Sequence, residues 1–393
     1  MRIRTGKKKR VAAVLLTAAL IFGVAVPLAP DVSAEGLDLP VPAAVLMEFS
    51  TGEVLYEKSA HAQRPCASIT KVMTLLLVFE AIDSGALHMD DMLTASAHAA
   101  GMGGSDIWLK EGEQMSVDDL IKACVVMSAN DAAVVLAEAV AGTEEAFVER
   151  MNARAAELGM ADTTFKNCNG LDEDGHLTSA YDVAVMSRAL MAHEKIFDYT
   201  TIWIDYVRDG ETQLVNTNKL VRTYNGIKGL KTGTTSAAGS CISAAAERNG
   251  MTLIGVVLGA DNTNDRFSAA ASLLDYGFAN WKITAPELPE LPQMAVSGGM
   301  RDMVRLKAAA PAGVLTAVSG ETAPQAVVEL PERIDAPVQA GQQVGKIRIV
   351  YGEETVQEVP ITAAEDVQAI TFRSALEYLL SWFFSARAPG AAV

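Results

Sequence analysis

Hydrophobic and polar positions follow two different periods along this chain, and the changes of period divide it. Residues 11–30 are almost unbroken apolar sequence behind a basic head of Arg2, Arg4, Lys7, Lys8, Lys9 and Arg10. Residues 43–48 and 54–57 are short strand-like runs around Ser50-Thr51-Gly52, which predicts a hairpin. Val72, Leu75, Leu76, Phe79 and Ile82 then fall at helical spacing, with Gly85 as the stop. Helical signals dominate from Val117 to about His193, in segments that end near Met127, begin near Asp131, span residues 144–158 and start again at Ser179. From Gln213 the character changes. Residues 242–246 and 251–258 read as strands joined by Arg248-Asn249-Gly250, a strong hairpin signal, and an amphipathic helix over residues 267–278 closes the unit.

A hairpin, helices, antiparallel strands and a final helix in that order predict an α+β domain, with terminal strands in one antiparallel sheet and helices packed on it. Residues 285–292, with Pro286, Pro289 and Pro292, read as a linker. Short alternating runs at 303–306, 326–330 and 344–351 then predict a small all-β domain. Near the end, Phe372, Leu376, Leu379, Leu380 and Phe383 form one helical stripe opposite Arg373, Glu377 and Ser381. That stretch is too charged and too short to span a bilayer and is expected to be an amphipathic helix lying on a membrane surface; a helix docked on the protein is the other account. The expected organisation is a signal peptide at 1–34, a catalytic domain at 35–285, a β-rich domain at 286–368 and the membrane-associating helix and tail at 369–393.

Charge sharpens the first of these. The basic head, the apolar run, Pro27, Pro30 and the small residues Val32-Ser33-Ala34 follow the pattern of a cleaved secretory signal. The whole chain carries a net charge of −16; the first 34 residues hold six basic residues and one acid, so the remainder carries −21. Such a surface repels phosphates, which argues against a nucleic-acid partner. Cys66, Cys124, Cys168 and Cys241 lie far apart without a CxxC pair and read as small buried hydrophobes. The five histidines show no metal spacing, and no cofactor or metal is expected.

Three short strings carry the candidate chemistry: Ser68-Ile69-Thr70-Lys71 at a helix start, Ser128-Ala129-Asn130 between helices, and Lys231-Thr232-Gly233 on or beside a strand. Ser68 and Lys71 are one turn apart, so their side chains can meet. A serine hydroxyl becomes a useful nucleophile when a base takes its proton, and Lys71 can do so if burial or a nearby positive charge such as Lys231 keeps its amine neutral. Ser128 is placed to relay a proton to a leaving amine, and the Asn130 amide to hold a substrate carbonyl and orient Lys71. The strand backbone near Thr234 and the Ser68 amide make a candidate oxyanion hole. A purely structural account has Ser68 and Asn130 as helix caps and Gly233 as a bulge.

With these strings, and with Met102-Gly103-Gly104-Ser105, Asn130-Asp131-Ala132-Ala133, Gly170-Leu171-Asp172, Gly175-His176, Asn216-Thr217-Asn218-Lys219-Leu220 and Asp265-Arg266-Phe267, the chain resembles the low-molecular-mass penicillin-binding proteins that are serine-type D-alanyl-D-alanine carboxypeptidases. The resemblance covers nearly everything after the signal, including the β-rich domain and the terminal anchor. It implies removal of the terminal D-alanine from peptidoglycan pentapeptide stems through a Ser68 acyl-enzyme, acylation by β-lactam antibiotics, and a place at the extracytoplasmic face of the bacterial membrane. Thr232, Gly233, Thr234 and Arg266 would bind substrate, receiving its terminal carboxylate; a surface ion pair of Arg266 with Asp265 or Asp261 is the other account. His176 reads as a structural hydrogen-bonder. Cys66 and Cys168 depart from the residues usual at their positions. Two rivals stay open, a β-lactamase and a non-catalytic wall-binding protein, although no Glu-x-x-Leu-Asn string lies between Asn130 and Lys231.

Overall fold

The structure, a computed structural model, describes residues 37–320 and 322–385. The expected signal segment and the tail beyond residue 385 lie outside the described residues.

Five antiparallel strands form the central sheet: β1 (Ala43–Glu48), β2 (Val54–Lys58), β3 (Ile227–Thr235), β4 (Gly239–Arg248) and β5 (Met251–Ala260), in the order β2-β1-β5-β4-β3. β1 lies against β5 along its whole length, Ala43 opposite Leu258 and Glu48 opposite Leu253, so strands from the two ends of the domain share the sheet. Asn249 and Gly250, with φ of 51° and 76°, make the two-residue turn that sets Arg248 opposite Met251. The helices are α1 (Lys71–Asp83), α2 (Val117–Val126), α3 (Asn130–Ala141), α4 (Glu144–Glu157), α5 (Ala180–Met191) and α6 (Thr263–Asn280).

Strand alternation gives each sheet face its own partner. Ala43, Val45 and Met47 of β1 and Ile254, Val256 and Leu258 of β5 enter a large core with residues of α1 to α5. On the opposite face, Leu273 and Leu274 of α6 lie over Gly255. The α+β architecture is therefore the one predicted. α6 starts four residues before the periodic stretch, because its first turn is polar and is capped by Asn262, whose side chain accepts from the N–H groups of Asn264 and Asp265.

After α6, Trp281–Thr284 pairs antiparallel with Val314–Ala317. A four-stranded sheet (Leu306–Ala308, Glu354–Ala363, Gln343–Tyr351 and Gln325–Glu329, in that spatial order) and a three-stranded one (Met303–Val304, Met294–Ser297, Arg333–Asp335) complete an all-β region. Val296, Val304, Ile347, Ile349, Val359 and Ile361 are among its core residues. The last element is the helix Phe372–Ser385, with Phe372, Leu376, Leu379 and Leu380 exposed and an Arg373–Glu377 pair at 2.9 Å. Among the described residues, no helix is long and apolar enough to cross a membrane.

Candidate active site

Ser68 lies in a single 3₁₀ turn, Ala67–Thr70, that runs directly into α1. A 3₁₀ turn eclipses side chains three residues apart, which stacks Lys71 beside Ser68 more closely than an α-helical start would. The Lys71 amine donates to Ser68 Oγ at 3.0 Å, to Asn130 Oδ1 at 2.6 Å and to the main-chain oxygen of Asn169 at 2.7 Å. Ser68 is half-buried, whereas Lys71 has no exposed surface. Among the described residues, no carboxylate forms an ion pair with Lys71 or Lys231. Burial accordingly pushes the Lys71 amine down to about 8. The sequence offered burial or the charge of Lys231 as the cause, and burial dominates. Lys231 is itself buried, donates to the Thr232 oxygen at 2.9 Å, and is held well below the usual lysine range by burial and then by Lys71.

Two glycines let other backbone approach the nucleophile turn. A Cβ on Gly233 would stand 2.8 Å from both Cys66 O and Ser68 N, so β3 lies directly against the turn only because that position has no side chain. Its register, Gly233 opposite Cys241, is regular; the irregularity in this pair lies between Ile227 and Gly229, so the bulge account of Gly233 does not hold. A Cβ on Gly170, where φ is 86°, would overlap Ala67 O at 1.9 Å, which sets the 166–171 segment against the turn's other side.

The remaining predicted residues gather on this frame. Asn130 opens α3, and its Nδ2 donates to Gly103 O at 2.8 Å while Oδ1 accepts from Lys71. Ser128 stands at φ 67°, 5% exposed, and its hydroxyl has no hydrogen-bond partner within the protein among the described residues. Thr232 is buried and bonds Thr217 Oγ1 at 2.7 Å, while Thr234 is exposed. Arg266, 5% exposed, donates from Nη1 to Gly233 O, Thr234 Oγ1 and Cys241 O at 3.1, 3.0 and 3.3 Å. The surface ion pair is thereby overturned; Asp265 accepts from Asn262 instead. His176 accepts at Nδ1 from Lys166 N–H and bonds Thr70 Oγ1 from Nε2 at 2.8 Å, with burial holding the imidazole down to about 4. Since the Thr70 hydroxyl donates to Ala67 O, the neutral imidazole is a strut for the turn. All four cysteines are free and buried, and burial pushes the Cys66 thiol up to about 12.

Three contributors escaped the sequence: Asn169, Gly103 and Thr217. The first two act through main-chain oxygens, which carry no residue signature, and Gly103 and Thr217 lie inside strings that carry the resemblance without a role attached to them.

A hydroxyl bonded to a buried amine without a carboxylate, at the edge of an antiparallel sheet, suits acyl transfer on serine. Residues 31–262 match the family model described as D-alanyl-D-alanine carboxypeptidase, and residues 291–369 match that of the penicillin-binding protein 5 C-terminal domain. The chain belongs to the D-alanyl-D-alanine carboxypeptidase family and is a serine carboxypeptidase. It is 39% identical to the D-alanyl-D-alanine carboxypeptidase DacF of Bacillus subtilis (strain 168), over 84% of this chain and 86% of that one. Penicillin binding protein 5 from Haemophilus influenzae superposes with a TM-score of 0.68 at 28% identity, covering 84% of this chain and 98% of that one. Penicillin-binding protein D2 from Listeria monocytogenes, in its ampicillin-bound form, gives 0.57 at 35% identity over 62% of this chain and 99% of that one.

Proposed function

We propose that Ser68 is the nucleophile and Lys71 the base that removes the terminal D-alanine from peptidoglycan pentapeptide stems. The Lys71 amine takes the Ser68 proton as Oγ adds to the carbonyl between the two D-alanines. The resulting oxyanion is met by backbone N–H groups of Ser68 and Thr234. Collapse breaks the C–N bond, and Ser128, whose hydroxyl lacks a protein partner, passes the proton to the amine of the leaving D-alanine. Water then adds to the Ser68 ester with Lys71 again as base, and the tetrapeptide leaves. Asn130 orients Lys71 and the substrate amide; Lys231 completes the polar wall; Thr232, Gly233 and Thr234 line the carboxylate site. Arg266 supports that site from behind, through Gly233 O and Thr234 Oγ1. β-Lactams acylate the same hydroxyl.

The observation that carries this reading is the fully buried Lys71 amine, 3.0 Å from Ser68 Oγ. Release of D-alanine from a diacyl-Lys-D-Ala-D-Ala peptide tests it, with Ser68→Ala and Lys71→Ala as variants. Substantial release by Ser68→Ala would overturn it. The exposed apolar face of Phe372, Leu376, Leu379 and Leu380 supports a further part of the reading. An enzyme exported by residues 1–34 rests on the outer face of the membrane through residues 369–393, with the β-rich 286–368 region between the helix and the catalytic domain of 35–285.

A further inference from the structure

The two acceptors that fix the Lys71 amine, besides Ser68, are Asn169 O and Asn130 Oδ1, and one carboxylate bonds both the segment that carries the first and the segment that holds the second. Asn169 O belongs to the 166–171 segment, where the preceding Cys168 N–H donates to Glu144 Oε1 at 2.9 Å. Asn130 Oδ1 is held in place because its amide nitrogen donates to Gly103 O, at the end of the 96–104 segment. In that segment the short helix Ala97–Ala100 carries His98, whose Nε2 lies 2.6 Å from Glu144 Oε2. The segments also meet directly, since Asn169 Nδ2 donates to Met102 Sδ at 3.3 Å. Glu144 is the first residue of α4, its side chain is only 11% exposed, and it touches neither Ser68 nor Lys71. Thr74 Oγ1 holds Cys168 O at 2.5 Å, so the segment is gripped from α1 as well.

We infer that Glu144 is a positioning residue for acyl transfer: its two carboxylate oxygens anchor, from one point, the 166–171 segment that presents Asn169 O to Lys71 and the 96–104 segment whose Gly103 O holds the Asn130 amide. This rests on the reading of Lys71 as the base. A neighbouring backbone displaced by a fraction of an ångström changes the Lys71–Ser68 alignment, and misplacement of about 1 Å costs on the order of 100-fold in rate. Glu144 thus acts on the chemical step and leaves the carboxylate site on β3 untouched.

The test is acylation of the full chain by a fluorescent penicillin, followed to saturation. Glu144→Ala is expected to lower the limiting acylation rate about 10- to 100-fold with the half-saturating concentration nearly unchanged. Glu144→Gln keeps an oxygen for Cys168 N–H and an amide N–H for a neutral His98 imidazole, and is expected to stay within about threefold of wild type. His98→Ala cuts only one arm and leaves the α4 end intact, for a loss of about threefold that vanishes in the Glu144→Ala background. Glu144→Ala or, should that chain not fold, His98→Ala acylating at the wild-type limiting rate overturns the inference, as does an equal loss in Glu144→Gln and Glu144→Ala. Failure of the underlying reading registers separately, because Lys71→Ala would then acylate normally whatever Glu144 does.

Discussion

The nucleophile turn and the terminal helix invert the usual partition of side chains in opposite directions. Around Ser68 two lysine amines and a guanidinium are buried with no carboxylate bonded to them, whereas in the last helix Phe372 is 87% and Leu379 61% exposed. Each inversion is unfavourable for the chain alone: buried polar groups lose hydration, and apolar surface left in water forgoes about 25 cal/mol per Å². Under the proposed function each is relieved by something the chain does not supply, a peptide ending in a carboxylate for the first and lipid for the second. They differ in what shapes them. The cleft is fixed by long-range packing, with two glycines and a histidine strut acting on one turn and the Glu144 carboxylate bonding two segments beside it. The helix presents a stripe written entirely in local spacing.

The largest expected effect lies at the base. Lys71→Ala is expected to lower acylation by about 100- to 10,000-fold, the span of general base catalysis, with Ser68→Ala abolishing it; penicillin labelling over time checks both. Deletion of residues 369–393 should leave that labelling within about twofold while the membrane-bound fraction falls on the order of 100-fold, as expected when several apolar side chains lose their lipid contact. Unchanged sedimentation with membranes would remove the second half of the contrast. A smaller effect separates buried amine from ordinary lysine. With the Lys71 amine at about 8, protonation blocks the base below that value, so the acylation rate should rise about tenfold between pH 7 and 9 and then level. The sign follows from burial: the neutral form is favoured, so activity is lost as pH falls. A profile still rising toward pH 10.5 would mean the amine is solvated.

These two regions were also unequally legible in the sequence. The stripe at 372–383 and the hairpin at Arg248-Asn249-Gly250 depend on neighbours, and both elements form where the pattern put them. Ser68 and Lys71 were legible for the same reason, being one turn apart. Asn169 was not, because its contribution is a main-chain oxygen 98 residues from Lys71. Glu144 was not, because its bonds reach 24 residues to Cys168 and 46 to His98. The pairing of Trp281–Thr284 with Val314–Ala317 escaped similarly, a long-range match between runs too short to carry a period. Local periodicity thus yields elements and the order of motifs, while the frame that aims the motifs is written in tertiary contacts.

The smallest expected effect bears on whether the cleft is strained or merely polar. Ser128 holds a left-handed conformation at φ 67° with a buried hydroxyl that no protein group bonds, two features that do not aid the packing of the fold. A buried unsatisfied hydroxyl costs about 1 to 3 kcal/mol, so Ser128→Ala should raise unfolding stability by about 1 kcal/mol even as it slows acylation. Ser128→Gly also relieves the left-handed backbone, worth about 1 to 2 kcal/mol. It gives back about 0.5 to 1 kcal/mol in unfolded-chain entropy, and should therefore equal or slightly exceed Ser128→Ala. Denaturant midpoints at constant slope read both changes directly. If Ser128→Ala were instead less stable than wild type, the hydroxyl would have a partner in the free enzyme, and the cleft would no longer mirror the helix as a site whose missing interaction arrives with the ligand.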